Sequence, residues 1–238
     1  VPVVFGCARE TAKITDADLA VMVEANHAQL VDDFCPAWSA APAAVVVLAI
    51  GAASEIACHL RDARADDPLQ ALAFHTVEGG APAIHVLVDR ILAQPGAALD
   101  DVSCALGHEL MECLGDAFCD LWSNRGDGTE EPREVVDRVQ GGRYIKTLHR
   151  SDGSTIQIAV SNFLLPEAFN DDAPAGTKFD WVGQLKHPRD IAPGGYTIIN
   201  DTTTSAKTVF GDHRAALAFS QGALVKHGVD VAALRGAP

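Results

Sequence analysis

Gly107-His108-Glu109-Leu110-Met111-Glu112 is the stretch on which the reading of this chain turns. It lies between Asp100-Asp101, good helix-capping residues, and Gly115, a natural helix stop. The spacing predicts a helix over 101–115. Leu106, Leu110, Cys113 and Leu114 supply its apolar face, while Cys104, His108, Glu112 and Asp116 recur at steps of four. Side chains at i and i+4 share a helix face, with Cβ atoms ~6 Å apart. His108 and Glu112 can therefore point at one cation, through bonds of about 2.0–2.2 Å. Asp116 lies a further turn along and joins them only if the helix bends or ends at Gly115. Cys104 reads either as an extra soft ligand or as packing.

Glu109 adds the chemistry. In H-E-x-x-H helices the Glu after the first His is the general base that acts on water at the metal. Here the first ligand and the base are kept, and Glu112 replaces the second His. Two histidines and one carboxylate leave a divalent ion with one net positive charge; one histidine and two carboxylates leave it formally neutral. Its power to acidify water and stabilise an oxyanion falls accordingly. Oxygen ligands also weaken the preference for Zn over Mn, Ca or Mg. The expected cofactor is Zn or another divalent cation.

Upstream of the helix, Val3 to Cys7 reads as a strand. Thr15 or Asp16 caps a helix toward Phe34, with Leu19, Val23, Leu30 and Phe34 near helical spacing and Pro36 as its end. Val45 to Ile50 is a β-branched core strand, and Ser54 to Arg64 reads as a short helix. Leu69 to Val77 and Ala83 to Val88 form a hairpin about Glu78-Gly79-Gly80-Ala81-Pro82. His75 and His85 lie on its two arms, and either could line a cleft beside the metal helix. Downstream, Ser123 to Glu131 is a polar loop and the best boundary between two parts, 1–122 and 123–238. Strands are expected at Tyr144 to Leu148, Thr155 to Val160 and Tyr196 to Ile199, and a weak C-terminal helix at Leu217 to Leu234.

Several of these landmarks resemble a family of uncharacterised bacterial and tailed-phage proteins with gluzincin-like H-E-x-x-E-x-x-x-D helices. They are Asp16-Ala17-Asp18-Leu19, Asp33 to Trp38, Ala73-Phe74-His75, Ile84 to Val88, the helix motif with Asp116, Glu134-Val135-Val136-Asp137, Ser161 to Pro166 and Pro193 to Tyr196. Together they span most of residues 14–200. The resemblance departs at Ala117, where the pattern has Pro, and at Asn162, where Asp is common. It implies an α+β fold: a zincin-like core whose twisted sheet packs on the metal helix with its edge strand alongside, and a β-rich C-terminal part. It also offers a third metal ligand downstream of the helix, Glu134, with Asp137 as a partner of His108 or a ligand itself. The family carries no assigned activity. A metallopeptidase-like hydrolase acting on a peptide or protein is the expectation from the helix chemistry. The competing expectation is a non-catalytic structural protein, such as a phage virion or decoration component partnered by other virion proteins.

Composition narrows the field. Over 238 residues the chain is 48% hydrophobic and 21% charged, which is ordinary globular composition. A net charge of −14 without a basic patch argues against nucleic acid. The longest apolar run, Ala43 to Ala53, is too short to span a bilayer, and Val1 to Phe5 lacks the look of a signal peptide. A cytoplasmic or virion-associated location is expected, unless a leader was removed before Val1. Six cysteines without a C-x-x-C pair read as buried free thiols.

Overall fold

In a computed structural model, residues 2–68, 71–201 and 206–211 are described, and they form an α+β fold. Five strands make the main sheet: β1 (Val3–Glu10), β2 (Ala43–Val47), β3 (Ile56–Arg61), β4 (Ala73–Glu78) and β5 (Ala81–Leu87). Their spatial order is β2-β1-β3-β5-β4. All neighbours are parallel except β4, which runs antiparallel to β5 at the sheet's edge. The stretch from Ser54 to Arg64, read from sequence as a helix, supplies the central strand β3. Ile56, Cys58 and Leu60 alternate inward there, so the period is two and pairing on both sides fixes it.

The β4–β5 hairpin closes through Gly79 and Gly80, at φ 58° and 87°. Glu78 pairs with Ala81, so the connection is a two-residue turn with both central residues left-handed, a conformation glycine adopts without a Cβ clash. His75 then pairs with Ile84, and Phe74 with His85.

Helix α1 (Asp16–Gln29) begins at Thr15, whose hydroxyl accepts the Asp18 N–H while the Asp18 carboxylate accepts the Thr15 N–H. A π-helical turn over Leu30–Phe34 leads straight into the short helix α2 (Cys35–Trp38). Pro36 therefore opens a helical turn rather than ending one, a position where its missing N–H does no harm. The chain then turns at Ser39, in the left-handed region at φ 48°.

After the one-turn helix α3 (Val88–Leu92) comes the long helix α4 (Leu99–Gly115). Its cap position is Ala98, two residues before the expected Asp100, and Asp101 accepts the Ala98 N–H at 2.8 Å. α1 and α4 lie on the same sheet face, over buried Phe5, Cys7, Cys58, Leu60, Ile84 and Val86. They approach closely at Gly107, where a Cβ would stand 2.3 Å from Asn26 Oδ1 and 2.8 Å from Gln29 Oε1. The Asn26 amide nitrogen donates to the Met22 and Ser103 carbonyls and the Ser103 hydroxyl, so this polar seam ties the two helices.

The second half covers the helices. β8 (Arg143–His149) and β9 (Thr155–Ser161) form an antiparallel hairpin, and β9 packs along α4. The stretch read as a polar loop, Ser123 to Glu131, lies mostly within a tight hairpin of β6 (Trp122–Asn124) and β7 (Thr129–Pro132). β7 continues into a small sheet with β10 (Tyr196–Asp201) and β11 (Lys207–Phe210). Val135, Val136, Leu148, Ile158, Val160 and Phe163 join the same apolar core as the five-stranded sheet. The helix expected at Leu217 to Leu234 lies outside the described residues. All six cysteines are free.

Candidate metal centre

Three chain segments bring six ionisable side chains together. β4 contributes His75, α4 contributes His108, Glu109 and Glu112, and the segment after β7 contributes Glu134 and Asp137. All are buried except His108, which keeps 14% of its side-chain surface.

Each segment is placed by a simple cause. The helical period sets His108 and Glu112 on one face of α4, as the spacing predicts. Strand alternation turns His75, paired with fully buried Ile84, toward α4. Gly115 brings in the third segment. It is the last residue of α4, and a Cβ there would lie 3.1 Å from Val135 Cγ1. Without a side chain, Gly115 leaves room for the Val135 side chain and the Arg133 carbonyl against the helix end, in the segment that carries Glu134 and Asp137.

Two groups of three present ligand atoms within 4.8 Å of one another: His75, Glu112 and Glu134, and His108, Glu109 and Glu112. Glu112 belongs to both. His75 Nδ1 lies 3.1 Å from Glu109 Oε2 and 3.9 Å from Glu112 Oε2. His108 Nε2 lies 3.0 Å from Glu112 Oε1, 3.3 Å from Asp137 Oδ1 and 3.9 Å from Glu109 Oε1. The other nitrogen of His75, Nε2, is 3.1 Å from the carbonyl oxygen of Asp116. A carbonyl only accepts, so Nε2 carries the proton and Nδ1 faces the carboxylates. Metal-ligating histidines usually donate their other N–H to a carbonyl or carboxylate, as Nε2 does here.

Burial alone would pull the His108 imidazole below its ordinary pKa. The carboxylates of Glu112, Asp137 and Glu109 outweigh burial and hold it well above that value. The field of the surrounding carboxylates at this position is thus negative.

Asp116 is not brought to the cluster as a ligand. The helix ends at Gly115, and the Asp116 carboxylate turns back to accept the N–H groups of Asp120 at 3.0 Å and Leu121 at 2.8 Å. Its contribution is the backbone carbonyl that orients His75. Cys104 joins neither group; burial pushes its thiol up to about 12. His85 does not line the cluster, because alternation sends it to the opposite face of the sheet. There Arg61 Nε–H donates to His85 Nδ1 at 3.1 Å, and His85 Nε2–H donates to Glu78 at 2.8 Å. His59 and Phe74 stack on its ring, and burial holds its pKa below the ordinary value.

Sequence reasoning named His75 as a cleft residue but not as a ligand. Its signal was a histidine on the inward register of an edge strand, a place that rewards apolar side chains. A separate cleft of about 590 Å3 lies around Arg125, Asp127, Phe169, Asp171 and Arg189, none of them in the cluster. Among the described residues no helix is long and apolar enough to cross a membrane. No protein-family model matches the chain, and neither the curated proteins nor the solved structures yield a match.

Proposed function

We propose that this protein is a metal-dependent hydrolase of the metallopeptidase type, built on a zincin-like core. The observation that carries the reading is the convergence of His75, Glu112 and Glu134 around Glu109 and His108, with His75 locked by the Asp116 carbonyl. The fold supports it. β4 closes the sheet as an antiparallel edge strand and packs beside α4, the arrangement that the resemblance implies. An edge strand beside the site also suits an extended peptide, whose backbone can pair with it.

The donor set fits a divalent cation held by histidine and carboxylate. When bound, the ion would polarise a peptide carbonyl and an attacking water. Glu109, buried and next to His75, would take the proton of that water and deliver it to the leaving amine. His108 is the one partly exposed member, so approach to the cluster is from its side.

A second reading has its own observation. His75 with Glu109, and His108 with Glu112 and Asp137, already make close histidine–carboxylate pairs. Such pairs would let the cluster serve as a structural element in a non-catalytic protein, for instance a virion or decoration component.

Metal analysis of the purified protein separates the two. The hydrolase reading expects stoichiometric divalent metal and peptidase activity that falls about 10²–10⁴-fold in Glu109→Gln with metal content retained. Absence of metal under every loading condition would sink it. Metal without any Glu109-dependent hydrolysis leaves the structural reading.

A further inference from the structure

We infer that the cluster holds two cations rather than one, bridged by Glu112. This deepens the metal-dependent reading above and rests on it. The two oxygens of Glu112 face different histidines: Oε1 is 3.0 Å from His108 Nε2, and Oε2 is 3.9 Å from His75 Nδ1. Each histidine has its own further carboxylate. Glu134 groups with His75 and Glu112, and Asp137 Oδ1 lies 3.3 Å from His108 Nε2. Each position thus has one histidine and one oxygen of the shared carboxylate; Glu134 completes the first group, while at His108 the group is completed by Glu109, with Asp137 beside the imidazole. Two-metal hydrolytic sites hold their ions about 3.5–4 Å apart, a spacing that a bridging carboxylate spans.

Glu109 fits the same division. Its Oε2 is 3.1 Å from His75 Nδ1 and its Oε1 is 3.9 Å from His108 Nε2. It faces both positions, and with Asp137 as the terminal ligand at His108 it is placed to take a proton from a water between the ions.

Charge supports two ions over one. Four buried or nearly buried carboxylates outnumber the two imidazoles, so a doubly protonated pair of histidines still leaves two negative charges in the cluster. Two divalent ions bring the six side chains to neutrality. A lone ion held by one histidine and two carboxylates is formally neutral and a weak Lewis acid. Two ions that share Glu112 keep one net positive charge after Glu112, Glu134 and Asp137 are counted. Spread over two ions, that charge recovers part of the polarising power that replacing the second histidine of the helix motif removes. An oxygen-rich set of this kind suits Mn²⁺ as well as Zn²⁺.

The test is Mn²⁺ titration of the chelator-stripped full chain, read by bound-metal analysis and electron paramagnetic resonance. The expected result is two equivalents with a spin-coupled spectrum. His75→Ala and His108→Ala, checked for folding by circular dichroism, should each bind one equivalent and give an uncoupled six-line signal. One equivalent with the uncoupled signal in the unaltered chain overturns the pair but leaves a metal-dependent site standing. No binding overturns both. Two equivalents retained in both histidine variants place the ions elsewhere and also overturn the pair. Should either variant fail to fold, the count and coupling in the unaltered chain decide.

Discussion

Gly107 of α4 and Asn26 of α1 stand so close that a methyl group on the glycine would lie 2.3 Å from Asn26 Oδ1. Asn26 is fully buried, and its amide nitrogen is engaged by Met22 and Ser103, so it has little freedom to retreat. Gly107→Ala gains helix propensity of about 1 kcal/mol. Overpacking of this kind costs about 1–3 kcal/mol, and disruption of the Asn26 hydrogen bonds adds to it. The expected outcome is a net loss of about 1–2 kcal/mol, read as a lower urea midpoint. In an Asn26→Ala background, where the Gln29 Oε1 contact at 2.8 Å remains, the same substitution should cost clearly less. Equal losses in the two backgrounds would refute the contact.

Gly115→Ala should separate stability from the metal site. The new Cβ would press on Val135 at 3.1 Å, a contact that yields with a shift of a few tenths of an ångström. The gain in helix propensity offsets that strain, so the thermal midpoint should hardly move. Glu134 and Asp137 flank Val135 and would move with it. Metal affinity should fall by roughly tenfold, as when the supports of a ligand are disturbed. Isothermal titration with Mn²⁺ or Zn²⁺ measures this; unchanged affinity would show that Val135 does not set the positions of its neighbours.

Metal should stabilise the fold by mass action. An ion that binds only the native state at 100 times its Kd adds ~2.7 kcal/mol. For a chain of this size that is about 5–10 °C in Tm. Scanning calorimetry with and without a chelator should show this difference, and Glu112→Ala should abolish it. Coincident melting curves for loaded and stripped protein would count against the site.

Acid stability should depend on Asp67. Hydrogen bonds from Arg61, at 2.5 and 2.7 Å, hold the Asp67 carboxyl down to about 2, and the Arg64 N–H adds a third donor. Its folded pKa is depressed. The stabilisation is therefore complete above the ordinary carboxylate range near ~4 and is lost as pH falls from there through 2. The size is about 2 kcal/mol. Asp67→Asn should show that deficit at pH 6, and the gap should close toward pH 2. A gap that stays constant with pH would contradict the assignment.

The local parts of the site were legible in the sequence, and the parts made by distant contacts were not. His108, Glu109 and Glu112 share one helix, whose period fixes their common face. Glu134 and Asp137 came only through the resemblance, because nothing in their spacing says which element they meet. His75 reaches the cluster through the pairing of β4 and β5 and the packing of α4, across 34 residues to Glu109. Asp116 sits in step with the ligands along the sequence, yet the helix ends just before it and the loop N–H groups claim its carboxylate. The same contrast holds for the fold. Thr15, one of the two caps read from the sequence, announced α1 locally, and Asp18 completes its capping box. Ile56 to Arg61 became the middle of a sheet through partners on both sides that local propensity does not see.

The Gly79–Gly80 turn has a consequence for how this site can change over generations. It sets the parity of β4, and parity in a strand admits only two values. With the turn as it is, His75 faces α4 and Phe74 faces away. A one-residue shift of β4 would turn the imidazole out of the centre and present Phe74, for a residue lost there, or Thr76, for a residue gained. There is no intermediate setting through which the site could drift. Lineages that alter the length of this hairpin should lose the histidine's role in a single event, while substitutions elsewhere in β4 leave it in place.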